Sequence, residues 1–493
     1  MRQTVSGLQD AGIIATAKHY ILYEQEHFRQ PGSISEYPDL PAYTSNLDDR
    51  TMHELYLWPF SDAVRAGVGA IMCSYNQVNN SYACQNSKIL NGLLKDELGF
   101  QGFVMSDWGA QLTGTASALA GLDMTMAGNA VLSYGELSYW GPNLTTAVLN
   151  GSVPLSRVDD MATRIMAAYY LVGQDQGFPD VSFSSWTTAT EGYLYYGANE
   201  GYGVINQHID VRGAHGDAQI GLAADSIVLL KNVNNTLPLN SPKQIGVFGS
   251  DAAPGIGGPN QFPDRGGTNG TLAMGWGSGT AQFPYLVSPL EALQTQARQD
   301  GSVIQWVVDD FNYPLIASTA QQATVCFAFV KADSGEGYIT VDGNIGDRNN
   351  LTAWEEGDKL IATVTGNCAN TIVVVHSVGQ INVEAWVENP NVTAILWASL
   401  PGQESGNSLV EVIYGNVNPS GRLPFTIAKN DSDYSSEVLY TPNNGDFSAP
   451  YDDYSEGLLV DYRAFDARNI TPRYEFGFGL SYTTFNVPPR CLK

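Results

Sequence analysis

Short apolar runs of strand character alternate with amphipathic helical stretches, and they do so twice along this chain. In the first third, strand-like runs at 13–17, 68–73, 102–107 and 122–126 are separated by helix-like stretches at 52–66, 87–98 and 114–120. Strand alternating with helix predicts a parallel sheet with crossover helices. A second α/β pattern starts near 218, with strands at 227–230, 245–249, 303–308, 325–330, 372–377 and 393–398. Helical stretches at 288–298, 315–323, 355–365 and 405–414 lie between them. This second pattern reads as a doubly wound layer, whose sites sit beyond the C-terminal strand ends. The fold class is therefore α/β, a partial (β/α)8-type barrel followed by a doubly wound sandwich.

The stretch between the two patterns is rich in Gly, Tyr, Ser and Thr and holds no period. It reads as a linker, since loops of such length are uncommon inside a domain. The expected division is 1–173 for the barrel part, 174–216 for the linker, 217–430 for the sandwich and 431–493 for its loop-rich tail. An α/β barrel needs eight strands and four are found, so the expectation is that early barrel strands are missing. Residues 4–10 read as the end of a helix. Ser156-Arg157-Val158-Asp159 resembles a capping box opening a helix that runs to about 172.

Charge narrows the partners. The net charge is −26 over 493 residues and no basic cluster occurs, which argues against nucleic acid and anionic membranes. No run reaches the length of a membrane span, and the first residues carry no signal-peptide core. Oligomeric state is not legible. There are 5 cysteines, at 73, 84, 326, 368 and 491. Cys73 and Cys84 close a short loop and are a candidate pair in an oxidising compartment; unpaired thiols stand as the alternative, and one Cys is left over in any case. Without Cys-x-x-Cys, no structural zinc site is expected. Asn-x-Ser/Thr sequons at Asn79, Asn143, Asn150, Asn234, Asn269, Asn350, Asn391, Asn430 and Asn469 permit secretion.

The candidate chemistry collects at strand ends. The run 103–105 ends in Asp107 and Trp108, a carboxylate beside an indole that suits a pyranose face. Other first-pattern strands end in Lys18 and His19, in Tyr75 and Asn76, and in Asp123, all able to bind polyols. In the second pattern, the strand at 325–330 runs into a loop bearing Glu336 between glycines and then Tyr338. Two carboxylates on strand-end loops suggest glycoside hydrolysis, one protonating the departing oxygen and the other attacking the anomeric carbon or activating water. Competing motifs fail. The glycine clusters at 255–258 and 275–279 complete no phosphate-binding pattern. His53-Glu54 meets Leu57 where a zinc protease needs a second His. No Gly-x-Ser-x-Gly elbow stands out. No cofactor or metal is called for.

Together the stretches TAKHYILYEQE, DDRTMHELYLWPFSDAVRAGVGAIMCSYNQVNNSYACQNS, GFVMSDWGA, AGLDM, GWGSGT, SGEGYI, PGQESGNSLVEVIYGNVNPSGRLPFT and YEFGFGLSYT resemble glycoside hydrolase family 3, in particular fungal secreted β-glucosidases. The resemblance covers almost the whole chain. It implies a barrel, a linker, an α/β sandwich and, in fungal members, a C-terminal fibronectin-type domain that has no counterpart here. It implies Asp107 as nucleophile and Glu336 as general acid/base, contributed across the domain interface. Lys18, His19, Met72, Tyr75 and Ser278 match positions that hold the terminal sugar, and Trp108 and Tyr338 match the entrance for the leaving group. The implied mechanism is retaining, with carboxylates about 5–5.5 Å apart. The implied substrates are oligosaccharides or aryl and alkyl β-glucosides, in extracellular cellulose and β-glucan breakdown by a glycoprotein. The family branch with a His-based acid is disfavoured, because Lys18-His19-Tyr20 continues as ILYEQE. The family's early Asp and Arg that grip sugar hydroxyls have no counterpart, and Phe478 stands where the family often shows His. The alternatives are an incompetent fragment of such an enzyme and a β-xylosidase of the same family.

Overall fold

The computed structural model describes residues 1–128, 138–184, 187–195, 199–443 and 448–484. Cys491 and the end of the expected tail lie outside the described residues. The chain divides into two compact units, Met1–Val211 with Val438–Leu458, and Arg212–Glu437 with Leu459–Lys493. Part of the stretch expected as the sandwich tail thus belongs to the first unit.

The first unit is built on three parallel strands, β1 (Thr16–Tyr20), β2 (Ala70–Cys73) and β3 (Phe103–Ser106), in the order β1-β2-β3. β1 begins three residues later than its apolar run, because its pairing with β2 opens at Thr16↔Ala70; Ile13 stays exposed ahead of it. The crossover helices are the expected ones. Trp58–Arg65 carries Pro59 in its first turn, where a missing N–H costs nothing. Lys88–Glu97, wound with π-type bonding, buries Ile89, Leu90, Leu93 and Leu94. These residues, Tyr20, Ile71 and Val104 share one core.

Three local expectations are corrected. The run at 122–126 forms no strand, only a bridge between Met105 and Met124. The Val104 N–H that would extend a ladder is instead taken by the Asp123 carboxylate at 2.8 Å. Asp123 is also no sugar ligand. Its side chain is 0% exposed and sits between Lys95 Nζ at 2.9 Å and Arg157 Nη2 at 2.6 Å. Burial pushes the Lys95 ammonium down to about 8, against the pull of Asp123. Nor does Ser156 cap a helix. The helix is Leu155–Leu171 and its N-cap is Pro154, with no side-chain cap bond. A working capping box lies in the second unit, where Ser288 and Glu291 open Pro289–Asp300.

In the stretch expected as a linker, Glu191–Tyr195 pairs antiparallel with Glu200–Val204. In the second unit six strands form one sheet: β4 (Val228–Asn232), β5 (Gln244–Phe248), β6 (Val303–Val307), β7 (Val325–Ala332), β8 (Thr371–Ser377) and β9 (Val392–Trp397). Their order is β6-β5-β7-β8-β9-β4, parallel except for β4 against β9. β7 and β8 are buried along their whole length, as a sheet covered on both faces requires. Cys326–Cys368 and Cys73–Cys84 form disulfides.

Asp123 is the test of what holds β3. Asp123→Asn leaves Lys95 and Arg157 buried beside a neutral amide, and the expected cost is about 3–5 kcal/mol. It is read as an earlier unfolding transition in a thermal melt. An unshifted melt would show that the cluster contributes no net stability.

Candidate functional site

In the first unit the register Cys73↔Ser106 brings the ends of β2 and β3 level, so the residues that follow emerge side by side. The Asp107 N–H donates to the Cys73 carbonyl at 3.3 Å. Asp107 itself is 8% exposed, and both its oxygens have neighbours. The Trp108 N–H donates to Oδ1 at 2.7 Å, and His19 Nε2 lies 3.2 Å from Oδ2. A carboxylate fixed at both oxygens is held in one orientation, which is what a nucleophile acting at a single carbon needs. Trp108 is 46% exposed and offers its indole to solvent.

A wall of aromatic and charged groups continues from His19. Its ring meets Tyr23 edge-on at 5.5 Å, and Tyr23 meets Tyr75 edge-on at 5.8 Å. The Arg29 guanidinium lies 4.8 Å over the Tyr75 ring. Arg29 also donates to the Tyr23 hydroxyl at 2.9 Å and to Glu26 at 3.0 Å. Burial, with Glu26 beside it, pushes the Tyr23 hydroxyl well above the usual phenol range. The structure therefore brings His19, Asp107 and Tyr75 into one neighbourhood. Met72 is buried on β2 opposite Met105, and Lys18 is exposed on β1. Asn76 turns inward, donating to the carbonyls of Leu22 and Gln77 at 3.0 and 3.1 Å. Sequence reasoning missed Tyr23, Glu26 and Arg29. The available signal was a dense run of charged and aromatic residues directly after Lys18-His19.

In the second unit Glu336 follows β7 on a loop fixed from several sides. Ser278 donates to both carboxylate oxygens, its N–H to Oε2 at 2.8 Å and its hydroxyl to Oε1 at 2.9 Å. The Trp276 indole N–H donates to the Glu336 carbonyl at 3.1 Å, and Trp276 bridges Gly335. Two glycines make this fit possible. A Cβ on Gly335 would lie 2.1 Å from the Trp276 carbonyl, and one on Gly277 (φ +136°) 3.1 Å from Glu336 Cγ. Tyr338 is exposed and donates to Asp264 Oδ2 at 2.8 Å. Ser278, Glu336 and Tyr338 are thus gathered by one loop pair, and Asp264 joins them unforeseen. Among the described residues no cluster of three or more His, Cys, Asp or Glu could hold a metal.

Comparison with known proteins decides the family. Residues 1–168 match the model for the glycosyl hydrolase family 3 N terminal domain, and residues 227–482 match that for the C-terminal domain. The chain belongs to glycosyl hydrolase family 3. It is 57% identical to Beta-glucosidase 1 of Aspergillus aculeatus over 98% of this chain and 56% of that protein. It is 55% identical to Beta-glucosidase A of Aspergillus kawachii, again over 98% of this chain and 56% of the relative. The chain therefore spans little more than half the length of the curated relatives it matches. A family 3 β-glucosidase structure from Neurospora crassa superposes with a TM-score of 0.95 at 54% identity, covering 98% of this chain and 58% of that one. The Chaetomium thermophilum β-glucosidase gives 0.95 at 57% identity, covering 99% and 58%.

The loop bearing Glu336 opens with Asp333, whose carboxyl burial pushes up to about 8 against the Ser334 N–H, Lys331 and Arg348. An acid raised in the fold binds more protons folded than unfolded at pH values between its two pKa values. Its stabilisation is complete below the ordinary carboxyl range and is lost as pH rises to about 8. In the parent the second unit loses up to about 1.4 kcal/mol per pH unit over this window. Asp333→Asn is expected to flatten that slope in melts recorded from pH 4 to 8; an unchanged slope would show that Asp333 is not the group responsible.

Proposed function

We propose that the chain carries the machinery of a retaining β-glucosidase acting on terminal, non-reducing β-D-glucosyl residues of cellobiose and of aryl or alkyl β-glucosides. The observation that carries this reading is Asp107. It is a carboxylate oriented at a strand end by His19 and by the Trp108 N–H, in a chain that is 57% identical to a protein named Beta-glucosidase 1. Asp107 attacks the anomeric carbon and forms a glycosyl ester. Glu336 protonates the departing oxygen and then takes a proton from the water that hydrolyses the ester. Ser278 keeps the Glu336 carboxyl in a single rotamer, since it engages both oxygens. Lys18, His19, Met72 and Tyr75 serve the sugar hydroxyls and ring face, while Trp108 and Tyr338 offer aromatic surface to the leaving group.

The same reading places the protein outside the cell, as a glycoprotein in the breakdown of cellulose and other β-glucans. Two disulfides and a net charge of −26 support an oxidising, non-nucleic-acid setting.

The test compares parent, Asp107→Ala and Glu336→Gln on aryl and alkyl β-glucosides, with β-xylosides run in parallel. Asp107→Ala is expected to abolish turnover. In kcat/KM, which reads the glycosylation step, Glu336→Gln should cost about 10²–10⁴-fold on alkyl glucosides and much less on a dinitrophenyl glucoside, whose leaving group needs no proton. Parent-level turnover in Asp107→Ala, or equal losses of kcat/KM on both substrate types in Glu336→Gln, would overturn the assignments. Faster cleavage of xylosides would replace glucose with xylose.

A further inference from the structure

The register Lys331↔His376 sets a residue of β7 beside a residue of β8 near the C-terminal ends of their strands, and residues paired in this way face the same side of a sheet. Both are buried, and both reach the segments that follow β5. His376 Nδ1 lies 2.7 Å from Asp251 Oδ2. A carboxylate only accepts, so Nδ1 carries the proton of this bond. The other oxygen, Asp251 Oδ1, accepts the Leu272 N–H at 2.8 Å. Lys331 donates to the carbonyls of Thr268 and Gly270, the latter at 3.2 Å. The stretch 268–272 is thus gripped by a cation at its carbonyls and by an anion at an N–H. The Thr271 N–H adds a bond to the Ala253 carbonyl at 2.9 Å.

The gripped stretch leads directly to Ser278. On the way, the Ala273 carbonyl accepts the Gly402 N–H at 2.9 Å, Trp276 bridges Gly335, and the Gly277 N–H donates to the Asp264 carbonyl at 2.9 Å. Ser278 then meets both oxygens of Glu336. His376 and Asp251 therefore stand at the base of a bonded path that ends on the acid. Their side chains are 0% and 2% exposed, and the His376 ring stacks on Phe329 with 6.3 Å between centroids. A buried pair of this kind is a poor source of net stability. What it supplies is direction, since an Asp bonded at both oxygens holds its Leu272 contact in one geometry.

We propose that Asp251 and His376 are positioning residues for Glu336. Asp251 fixes the start of the segment that ends in Ser278, and His376 fixes Asp251. Ser278 in turn sets the direction from which the Glu336 proton reaches the departing oxygen. This role rests on the glucosidase reading, in which Glu336 delivers that proton.

Comparing kcat/KM on an alkyl glucoside and on a dinitrophenyl glucoside separates positioning from stability. Loss of folded protein lowers both alike, whereas a displaced acid is felt only where the leaving group needs a proton. Asp251→Leu removes both contacts and should lower kcat/KM about tenfold on the alkyl glucoside, and less than about twofold on the dinitrophenyl glucoside. Asp251→Asn is the rescue. Its oxygen still accepts from Leu272, and its amide donates to His376 Nδ1 once the ring proton sits on Nε2, so both rates should stay near the parent's. His376→Phe keeps a ring against Phe329 and loses the Nδ1 donor. About a threefold loss confined to the alkyl glucoside is expected there, and this variant decides the matter if the leucine chain does not fold. Equal losses on the two substrates, parent-level alkyl rates in the variant read, or an asparagine chain as slow as the leucine chain would overturn the proposal. Hydrogen exchange read by mass spectrometry on the full chain needs no turnover. Exchange over 271–278 should rise about tenfold in Asp251→Leu, less in His376→Phe, and match the parent in Asp251→Asn; unchanged exchange in the variant read would also overturn the proposal. A parent without turnover would defeat the glucosidase reading, and the exchange result would then decide whether the pair holds the Ser278 segment.

Discussion

The Asp123 carboxylate is the constraint on which the first unit depends. Its side chain is completely buried, it pairs with both Lys95 and Arg157, and it takes the backbone N–H of Val104 in β3. β3 is only Phe103–Ser106, and the residue after it is the proposed nucleophile. Fixing Val104 therefore fixes the point from which Asp107 leaves the sheet. Arg157 and Arg164 extend the same tie, through Asp160, to the carbonyls of Phe100 and Gly102 that precede the strand. A buried ion cluster is a poor source of net stability, but this one specifies where a short strand begins and ends.

The second unit solves the same problem with backbone. β7 is long, buried along its length and flanked by parallel neighbours, so its C-terminal end is a rigid platform. Precision in the loop beyond it comes from close approach. The Trp276 and Glu336 segments touch through a β-bridge, an indole-to-carbonyl bond and the double contact from Ser278.

Much of this was legible in the sequence because the signals were local. The central strands of the second unit announce themselves as apolar runs, and β7 even shows its functional exit, an apolar strand running on into Gly-Glu-Gly. Asp107 and Trp108 were visible for the same reason. What escaped was decided by partners far along the chain. The run at 122–126 looks like a strand until the Asp123 side chain is seen to take the N–H a ladder would need. Ser156 to Asp159 has capping-box spacing, yet the helix starts one residue earlier, at a position where Pro154 is the cap. Tyr23, Glu26 and Arg29 stand three residues apart yet on no helix; they lie in a loop and are held by one another. The pairing of Cys326 with Cys368, 42 residues apart, leaves no mark in spacing.

The two glycines at the acid-bearing loop carry a consequence for how such a chain can change over generations. Gly335 makes room for the carbonyl of Trp276, and Gly277 makes room for the side chain of Glu336. Each segment is shaped by what the other lacks. A side chain gained at either glycine is paid for by the opposite segment, so these two stretches, some sixty residues apart, form a single heritable unit. Recombination between diverged relatives with a breakpoint between them would separate halves that were selected together, even where every individual residue is acceptable in its own parent.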